Sequence, residues 1–222
     1  MKLLIKTLSI ALAVTIPITS FCLGANIVTR MPDVYQYEFK ATNLLKHFDF
    51  DKNNDEMGDF ISDFMIGQIA EFQLVSGDED RPQPVFSENE MTAAANARKY
   101  MNIVAALGIL ALAVMAGSFI MLKKYALDKE IRKDFKVGTI IYMGLIAVYL
   151  IGFFVAAKTG HSLSDMIGYV PDEKDVLPQI ITEGLRTRLF LSAPVVSTII
   201  MAIMGYVMFK ITEPRRIFSR NY

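Results

Sequence analysis

Four apolar stretches of about twenty residues each dominate this chain of 222 residues. They cover residues 7–28, 101–122, 137–157 and 189–209, and none of them contains an Asp, Glu, Lys or Arg. A helix rises ~1.5 Å per residue, so each stretch is long enough to cross the ~30 Å hydrocarbon core of a bilayer. The sequence therefore predicts an all-α membrane protein with a four-helix transmembrane bundle.

The charges between the stretches predict the orientation of this bundle. Residues 123–136 carry six basic and three acidic side chains, whereas residues 30–99 carry fourteen acidic and seven basic ones. Because Lys and Arg concentrate on the cytoplasmic side of membrane proteins, both termini are expected inside the cell. The predicted segments are span 1 (1–29), an extracytoplasmic segment (30–100), span 2 (101–122), a cytoplasmic loop (123–136), span 3 (137–157), an extracytoplasmic segment (158–188), span 4 (189–209) and a cytoplasmic tail (210–222).

The first stretch also has features of a cleavable signal peptide. Lys2 and Lys6 precede an apolar run that ends near the small pair Gly24–Ala25. The run continues past this pair, however, and the other three spans need it to keep both ends inside. We therefore expect an uncleaved anchor. The single cysteine, Cys22, is expected to be a membrane-embedded thiol, because one cysteine cannot form a disulfide framework.

The first extracytoplasmic segment is predicted to be a small, mostly helical domain. Residues 34–39 alternate between apolar and polar side chains, which predicts a short strand or an extended piece. Apolar residues at helical spacing over 57–72 predict an amphipathic helix that Asn54 or Asp55 caps. Residues 49–55 are rich in Asp and Asn, but they lack the Gly and Glu that a calcium-binding loop needs at its sixth and twelfth positions.

A capping box opens the second span. Ser87 and Glu90 have the spacing of a helix N-cap and its N3 partner, and nothing breaks the helix before residue 122. Glu90, Ala93, Ala94 and Ala97 share one face, where small side chains allow another helix to approach closely. Ala106, Ala113 and Gly117 are expected to continue this packing face inside the membrane. Residues 177–181 predict a short interfacial helix before the fourth span.

Several classes of function receive no support. The sequence has no Walker loop, no zinc-spaced Cys/His cluster and no G-x-S-x-G motif, and we expect no cofactor and no nucleic-acid partner. The absence of charges from the four stretches argues against a transporter or channel. The absence of cysteine from both extracytoplasmic segments argues against a tetraspanin-type adhesion protein.

The layout resembles the lipoprotein intramolecular transacylase family of bacterial membrane proteins. The resemblance depends on Phe86, Ser87, Glu88 and Glu90, which form a Phe-Ser-Glu-x-Glu motif running into the second span, with Arg98-Lys99 following at a matching distance. Weaker matches are Tyr35 and Tyr37, the segment 55–72, and residues 177–184.

The resemblance implies a specific reaction. Such proteins move an acyl chain from the glycerol of a diacylglyceryl-modified cysteine to the α-amine of that cysteine, and the family uses two histidines. One histidine belongs to a His-Met-x-Asp-Val pattern, which here reads Ala-Ala-Ala-Asn-Ala from Ala93 to Ala97. Ala93 cannot move a proton and Asn96 cannot carry a charge, and the loss of a general base costs ~10²–10⁴-fold in rate. The second histidine has no direct match, since His161 lies a few residues beyond the end of the third span.

Two hypotheses follow. In the first, the chain is a non-catalytic or divergent relative that binds lipid, lipopeptide or a membrane partner at its outer face. Phe86, Glu90, Ala93, Asn96 and Arg98 would then line the binding face. In the second, it is an active acyltransferase of the cell membrane whose base lies elsewhere, with His161, Glu90 or Glu183 as candidates. The lipid bilayer is the expected partner in both cases, and a lipoprotein or lipopeptide is the further candidate.

Overall fold

The computed structural model describes residues 2–48, 52–76, 83–159 and 169–213. The α-helices are α1 (Lys2–Arg30), α2 (Pro32–Thr42), α3 (Asn54–Ile66), α4 (Glu88–Lys124), α5 (Asp128–Thr159), α6 (Leu177–Ile180) and α7 (Glu183–Ile211). A 3₁₀ turn covers Leu44–His47, and two short antiparallel strands, β1 (Val75–Ser76) and β2 (Gln83–Pro84), form a hairpin.

Four of these helices are long and apolar enough to cross a membrane. They are α1, α4, α5 and α7, with 29, 37, 32 and 29 residues. Each contains one of the four stretches found in the sequence, and each extends beyond it. The prediction of an all-α four-helix bundle is therefore confirmed.

Helix α1 is the centre of the bundle, because α4, α5 and α7 all pack against it. Glycines make these contacts close. A Cβ added to Gly24 would lie 2.6 Å from the Ser197 Cβ on α7, and one added to Gly108 on α4 would lie 2.8 Å from the Cys22 Cβ. Small residues let helix backbones approach in a membrane, where apolar side chains gain nothing by leaving lipid.

The face of α4 that packs in the bundle differs from the predicted one. The buried small residues of its membrane part are Gly108, Ala111 and Ser118, whereas Ala106, Ala113 and Gly117 are exposed on the bundle surface. The expectation that these three continue the packing face of Ala93 was wrong. Small residues occur on more than one side of α4, so composition alone could not identify the side that contacts α1.

One end of the bundle is closed by the α4–α5 hairpin, and we refer to it as the hairpin end. The Lys123 ammonium donates to the Asp128 carboxylate at 2.6 Å and to the Ile211 carbonyl at 3.0 Å. Arg132 donates to the hydroxyl and the carbonyl of Thr212. These two cations therefore satisfy carbonyls at the C-terminus of α7, where the helix dipole also favours positive charge.

A small domain, the cap, covers the opposite end. It consists of α2, the 3₁₀ turn, α3, the β1–β2 hairpin, residues 85–100 and residues 169–182. Its core is aromatic, with the ring of Phe72 lying 5.0 Å from those of Phe60 and Phe64 and 4.7 Å from that of Phe86. The cap is joined to α1 by two hydrogen bonds, from the Tyr35 hydroxyl to the Thr29 carbonyl (2.7 Å) and from the Ser62 hydroxyl to the Arg30 carbonyl (2.6 Å).

The first element of the cap is a helix, so the prediction of a strand at residues 34–39 was wrong. Pro32 stands in the first turn of α2, where a missing N–H costs nothing. The buried residues of α2 are Tyr35, Glu38 and Phe39, which follow helical spacing. The apparent alternation of this stretch was too short to distinguish between the two periods.

Helix α3 confirms the predicted amphipathic helix but is shorter. Its N-cap is Asn53, whose side chain accepts from the N–H groups of Asp55 and Glu56, rather than Asn54 or Asp55. The helix ends at Gly67, which adopts a φ of 90° that suits glycine. Phe72 thus reaches the core from the following irregular segment.

Candidate functional site

A cavity of about 530 Å³ lies between the cap and the adjoining end of the bundle. Its walls are almost entirely apolar. The lining residues are Thr29, Tyr35, Ile61, Phe64, Met65, Phe72, Ala93, Ala94, Ala97, Tyr100, Met101, Tyr169, Pro171, Leu177, Pro178, Ile181, Arg186 and Leu189. The volume is in the range of small-molecule sites.

The lining combines small side chains of α4 with large side chains from other parts of the cap. Ala93, Ala94 and Ala97 come from α4, whereas Phe64 and Phe72 come from α3 and the segment after it. A methyl group fills little of the space that the surrounding aromatic core would otherwise occupy. The predicted small-residue face of α4 therefore borders a cavity within the cap.

Three lining residues mark the depth of the cavity relative to the membrane. Thr29, Met101 and Leu189 lie at the cap ends of the first, second and fourth apolar stretches. The cavity is therefore at the level where three of the four long helices leave their apolar stretches. An occupant there could have one part among apolar side chains and another at the lipid headgroups.

The polar groups of the lining are few. The Tyr35 hydroxyl is engaged by the Thr29 carbonyl, and burial raises the pKa of Tyr35 well above its usual range. The Tyr169 hydroxyl donates to the Asp175 carboxylate at 2.8 Å, and burial, together with that carboxylate, also raises the pKa of Tyr169. Both tyrosines are therefore neutral at physiological pH. Arg186 is the one charged residue of the described lining.

Asp175 organises the segment that carries Tyr169. Its carboxylate accepts from the Asp172 N–H at 2.9 Å, from the Tyr169 hydroxyl and, at 3.2 Å, from the Ser87 hydroxyl. The hydrogen bond from Asp172 is the main cause that holds the pKa of Asp175 below its usual range, although burial opposes it. Asp175 is thus a charged acceptor that fixes a loop of the cap to the start of α4.

Comparison with solved structures identifies this architecture. Three structures of the lipoprotein intramolecular transacylase Lit from Bacillus cereus are similar to the chain. One with a histidine-to-alanine substitution has a TM-score of 0.66 at 15% identity, covering 94% of this chain and 95% of that one. A second has a TM-score of 0.65 at 14% identity, covering 96% and 97%. A histidine-to-arginine variant has a TM-score of 0.63 at 16% identity, covering 93% and 92%.

The chain has the fold of Lit. The resemblance seen in the sequence is confirmed at this level, and the four apolar helices together with the fold of a membrane-integral enzyme identify a membrane protein. No family model matches the sequence. No curated protein matches it either.

Within this Lit-like fold, Glu90 does not line the cavity. It is 1% exposed, and its two carboxylate oxygens accept from backbone N–H groups, one from Ser87 at 2.7 Å and the other from Leu177 at 2.5 Å. The first bond completes the predicted capping box. The second joins α4 to the start of α6. The geometry gives Glu90 a structural task, unlike that of a base exposed to a substrate.

Arg98 and Phe86 are also structural. The Arg98 guanidinium lies 4.2 Å above the Phe64 ring and donates to the Ile69 carbonyl at 2.9 Å, beyond the C-terminus of α3. Phe86 is buried in the aromatic core of the cap. Neither belongs to the lining of the cavity.

The remaining predicted site residues have different surroundings. Ala93 lines the cavity and is buried, at the position where the resemblance expects a histidine. Asn96 is half-buried on α4 outside the lining, and Glu183 is exposed in the first turn of α7. His161 lies outside the described residues. Among the described residues, no group of three or more His, Cys, Asp or Glu side chains is arranged to hold a metal ion.

Sequence reasoning missed Tyr169 and Arg186 as site residues. Tyr169 carries no motif that distinguishes it from other tyrosines. Arg186 had a signal, because it interrupts the positive-inside pattern at the predicted outer end of the fourth span. A cation that opposes the charge pattern at the level of the headgroups is a reasonable candidate for a site residue.

Proposed function

We propose that this membrane protein binds an acyl chain of a lipid or lipopeptide in the cavity beneath its cap, at the outer face of the cell membrane. The observation that carries the proposal is the cavity itself, which is apolar, of ligand size, and lies where three of the long helices leave their apolar stretches. A soluble polar substrate would find few hydrogen-bonding partners there, whereas an acyl chain would find matching surface.

The charge pattern supports this orientation. The hairpin end carries the six basic residues of 123–136, and the cap carries most of the acidic residues of 30–99. With Lys and Arg on the cytoplasmic side, the cap faces outward and both termini are inside. The cavity then opens towards the outer leaflet, where lipoproteins and phospholipids are both present.

In this proposal the protein is a divergent relative that does not use the histidine chemistry implied by the resemblance. Ala93 contributes a methyl group to the cavity wall where a base is expected. The two acidic candidates for a catalytic base are unfavourable. Glu90 is engaged by two backbone N–H groups, and Glu183 is exposed outside the lining.

Photocrosslinking tests acyl-chain binding directly. The protein is reconstituted into vesicles with lipids that carry a photoreactive diazirine near the acyl terminus, and the crosslinked peptides are mapped by mass spectrometry. We expect crosslinks to cap residues such as Phe64 and Phe72, because these residues lie in the cavity wall above the membrane stretches. Lipid-facing residues of α5, such as Ile151, provide the internal reference.

Two variants on the same helix make the test specific. Ala97→Phe places a ring in the cavity, whereas Ala95→Phe places the same ring on an exposed face. We expect Ala97→Phe to lower cap crosslinking at least several-fold relative to α5, with Ala95→Phe unchanged. Equal crosslinking of the cap in both variants, or none in the wild type, would rule out an acyl chain in the cavity.

The second candidate function is acyl transfer with a base supplied by residues 160–168. The observation that favours it is Tyr169, which lines the cavity and lies eight residues after His161 in the sequence. Mass spectrometry of lipoprotein N-termini, in a host with and without the protein, decides between the two. A shift of one acyl chain to the α-amine that disappears with His161→Ala would establish transfer. Unchanged N-termini support binding alone.

A further inference from the structure

We propose that the occupant of the cavity is a phosphate-bearing lipid, whose acyl chain fills the apolar interior and whose phosphate binds the Arg186 guanidinium. This inference depends on the proposed function, because it names the class of lipid that the same cavity takes. It extends that function by assigning a headgroup site that the reaction implied by the Lit-like fold does not require.

Arg186 is the residue from which the inference starts. It is the one charged side chain of the described cavity lining, and its Nε is buried without a hydrogen-bond partner in the described part of the chain. No described carboxylate forms an ion pair with it, and Glu183, one turn earlier on α7, is exposed. A buried guanidinium donor without an acceptor is unfavourable. An anionic ligand would supply the acceptor that the described residues do not provide.

Two other arginines at this end of the molecule, Arg98 and Arg188, have partners for their guanidinium groups. The guanidinium of Arg98 donates to carbonyls after α3. The Nε of Arg188 lies 2.6 Å from the Glu38 carboxylate, and its guanidinium stacks over the Tyr37 ring. Arg186, by contrast, has neither kind of partner among the described residues.

A second arginine, Arg30, directly follows the lining residue Thr29 in the sequence. Arg30, at the end of α1, donates from one terminal nitrogen to the Asn102 carboxamide at 2.7 Å, and its Nε is also buried without a partner. Asn102 directly follows Met101, which lines the cavity. Neither arginine forms an ion pair with a described carboxylate, so both leave positive charge at the cap ends of α1 and α7.

Phosphate is the anion that fits this position. The planar guanidinium fork binds phosphate oxygens in a bidentate manner, and phospholipids hold their phosphate at the same depth as the ends of membrane spans. Tyr35 and Tyr169 cannot replace Arg186 as donors to a headgroup, because their hydroxyls are already engaged. The third tyrosine of the lining, Tyr100, is exposed and offers a neutral hydroxyl rather than a charge. An unpaired cation also repels the ammonium of a lipopeptide N-terminus, which makes a lipopeptide the less favourable occupant.

The test compares two probes that differ only in the headgroup. Phosphatidylglycerol and diacylglycerol with the same diazirine-bearing acyl chains are mixed in equal amounts in vesicles that contain the full-length protein. The ratio of phosphatidylglycerol to diacylglycerol crosslinks is measured on cap peptides and, as the bulk reference, on α5. We expect the wild type to enrich phosphatidylglycerol several-fold in the cap relative to α5.

Three variants separate the phosphate contact from general charge. Arg186→Gln should bring the ratio in the cap to the α5 value, and Arg186→Lys should retain only part of the enrichment because it keeps the charge without the fork. Lys99→Gln removes an exposed cation of α4 that does not line the cavity, and it should leave the ratio unchanged. Excess inorganic phosphate should not displace the lipid, since it cannot occupy the apolar interior.

The outcomes distinguish this inference from the proposed function. Cap crosslinking by both probes at the α5 ratio would overturn the phosphate site while leaving acyl-chain binding intact. An equal loss of enrichment in Arg186→Gln and Lys99→Gln would also overturn it, because surface charge alone would then explain the preference. Enrichment of a diacylglyceryl lipopeptide over phosphatidylglycerol in the same assay would identify the other occupant and refute the assignment.

Discussion

Carboxylates in the cap work as acceptors for backbone N–H groups and hydroxyls. Glu90 holds the N-terminus of α4 and the start of α6, and Asp175 holds the described segment 169–176 against Ser87. Each carboxylate is buried, and each is hydrogen-bonded from two or more sides. This explains why acidic residues close to an apolar cavity do not line it.

Replacing Glu90 should therefore affect stability. In Glu90→Gln the side chain has one acceptor oxygen instead of two, so one buried N–H loses its partner, at a cost of about 1–3 kcal/mol in the free energy of unfolding. The matched control is Glu88→Gln, two residues earlier and exposed. Thermal unfolding in detergent should show a clear loss for the first variant and little change for the second. Equal melting temperatures would remove the structural role assigned to Glu90.

The Asp175 carboxylate should make the cap sensitive to acid. Its folded-state pKa lies below the ordinary value of ~3.9, so its contribution to stability is complete above that value and is lost as pH falls below it towards the folded pKa. Unfolding of the wild type followed between neutral and acidic pH should show this loss. Asp175→Asn should lack this component of the pH dependence, whereas Glu173→Gln, exposed in the same loop, should retain it.

At the scale of the elements, the long helices, α3 and the short helix α6 could be predicted, whereas α2 could not. The Ser87–Glu90 capping box and the unbroken apolar run fixed α4 to within two residues of its observed end. The cap segment at 34–39 was misread because six residues fit a period of 2 almost as well as one of 3.6. Only the burial of Tyr35, Glu38 and Phe39 by neighbouring elements reveals the helical face, and burial of this kind depends on tertiary structure.

The helix–helix contacts of the bundle could not be predicted from the sequence either. Small residues lie on more than one side of a helix such as α4, and the sequence does not show which side packs against α1. The structure makes this testable with Gly24, where an added Cβ would lie 2.7 Å or less from three atoms of Ser197. We expect Gly24→Ala to separate α1 from α7 and lower the melting temperature in detergent. Gly117→Ala meets nothing within 4 Å and should be neutral or stabilising by about 0.5–1 kcal/mol, since Ala favours a helix over Gly. Similar effects of both substitutions would contradict the packing described for α1.

At the scale of the whole molecule, the apolar stretches predicted the number of long helices, and the charges between them predicted an orientation. The cavity could not be predicted in the same way, since its walls come from five separated parts of the chain. Ala93, Phe72 and Arg186 have no local pattern that brings them together. They come together in the cap, where the Glu90 and Asp175 contacts fix α4 against the segment before α7.

The orientation of the whole molecule in the membrane can be tested by labelling single cysteines introduced at its two ends. Cys22 is buried against Gly108 in the bundle, so Cys22→Ser gives a cysteine-free background with a conservative change. Single cysteines are then introduced at Glu88 in the cap and at Lys129 at the hairpin end, both of which are exposed. In intact cells, a membrane-impermeant maleimide should label Glu88→Cys and leave Lys129→Cys unlabelled until the membrane is permeabilised.

The opposite labelling pattern would place the cap in the cytoplasm and contradict the charge rule for this chain. It would also move the cavity to the inner leaflet, where no lipoprotein modified at the outer face could reach it, although a phospholipid still could. The result therefore bears on the occupant as well as on the orientation. Since Arg186 and Arg30 lie at the cap end with the cavity, an outward cap makes the unpaired guanidinium groups a feature of the outer leaflet, against the general tendency of basic residues to stay inside. A cation kept on the unfavoured side of the membrane is best explained by an anion that it binds there.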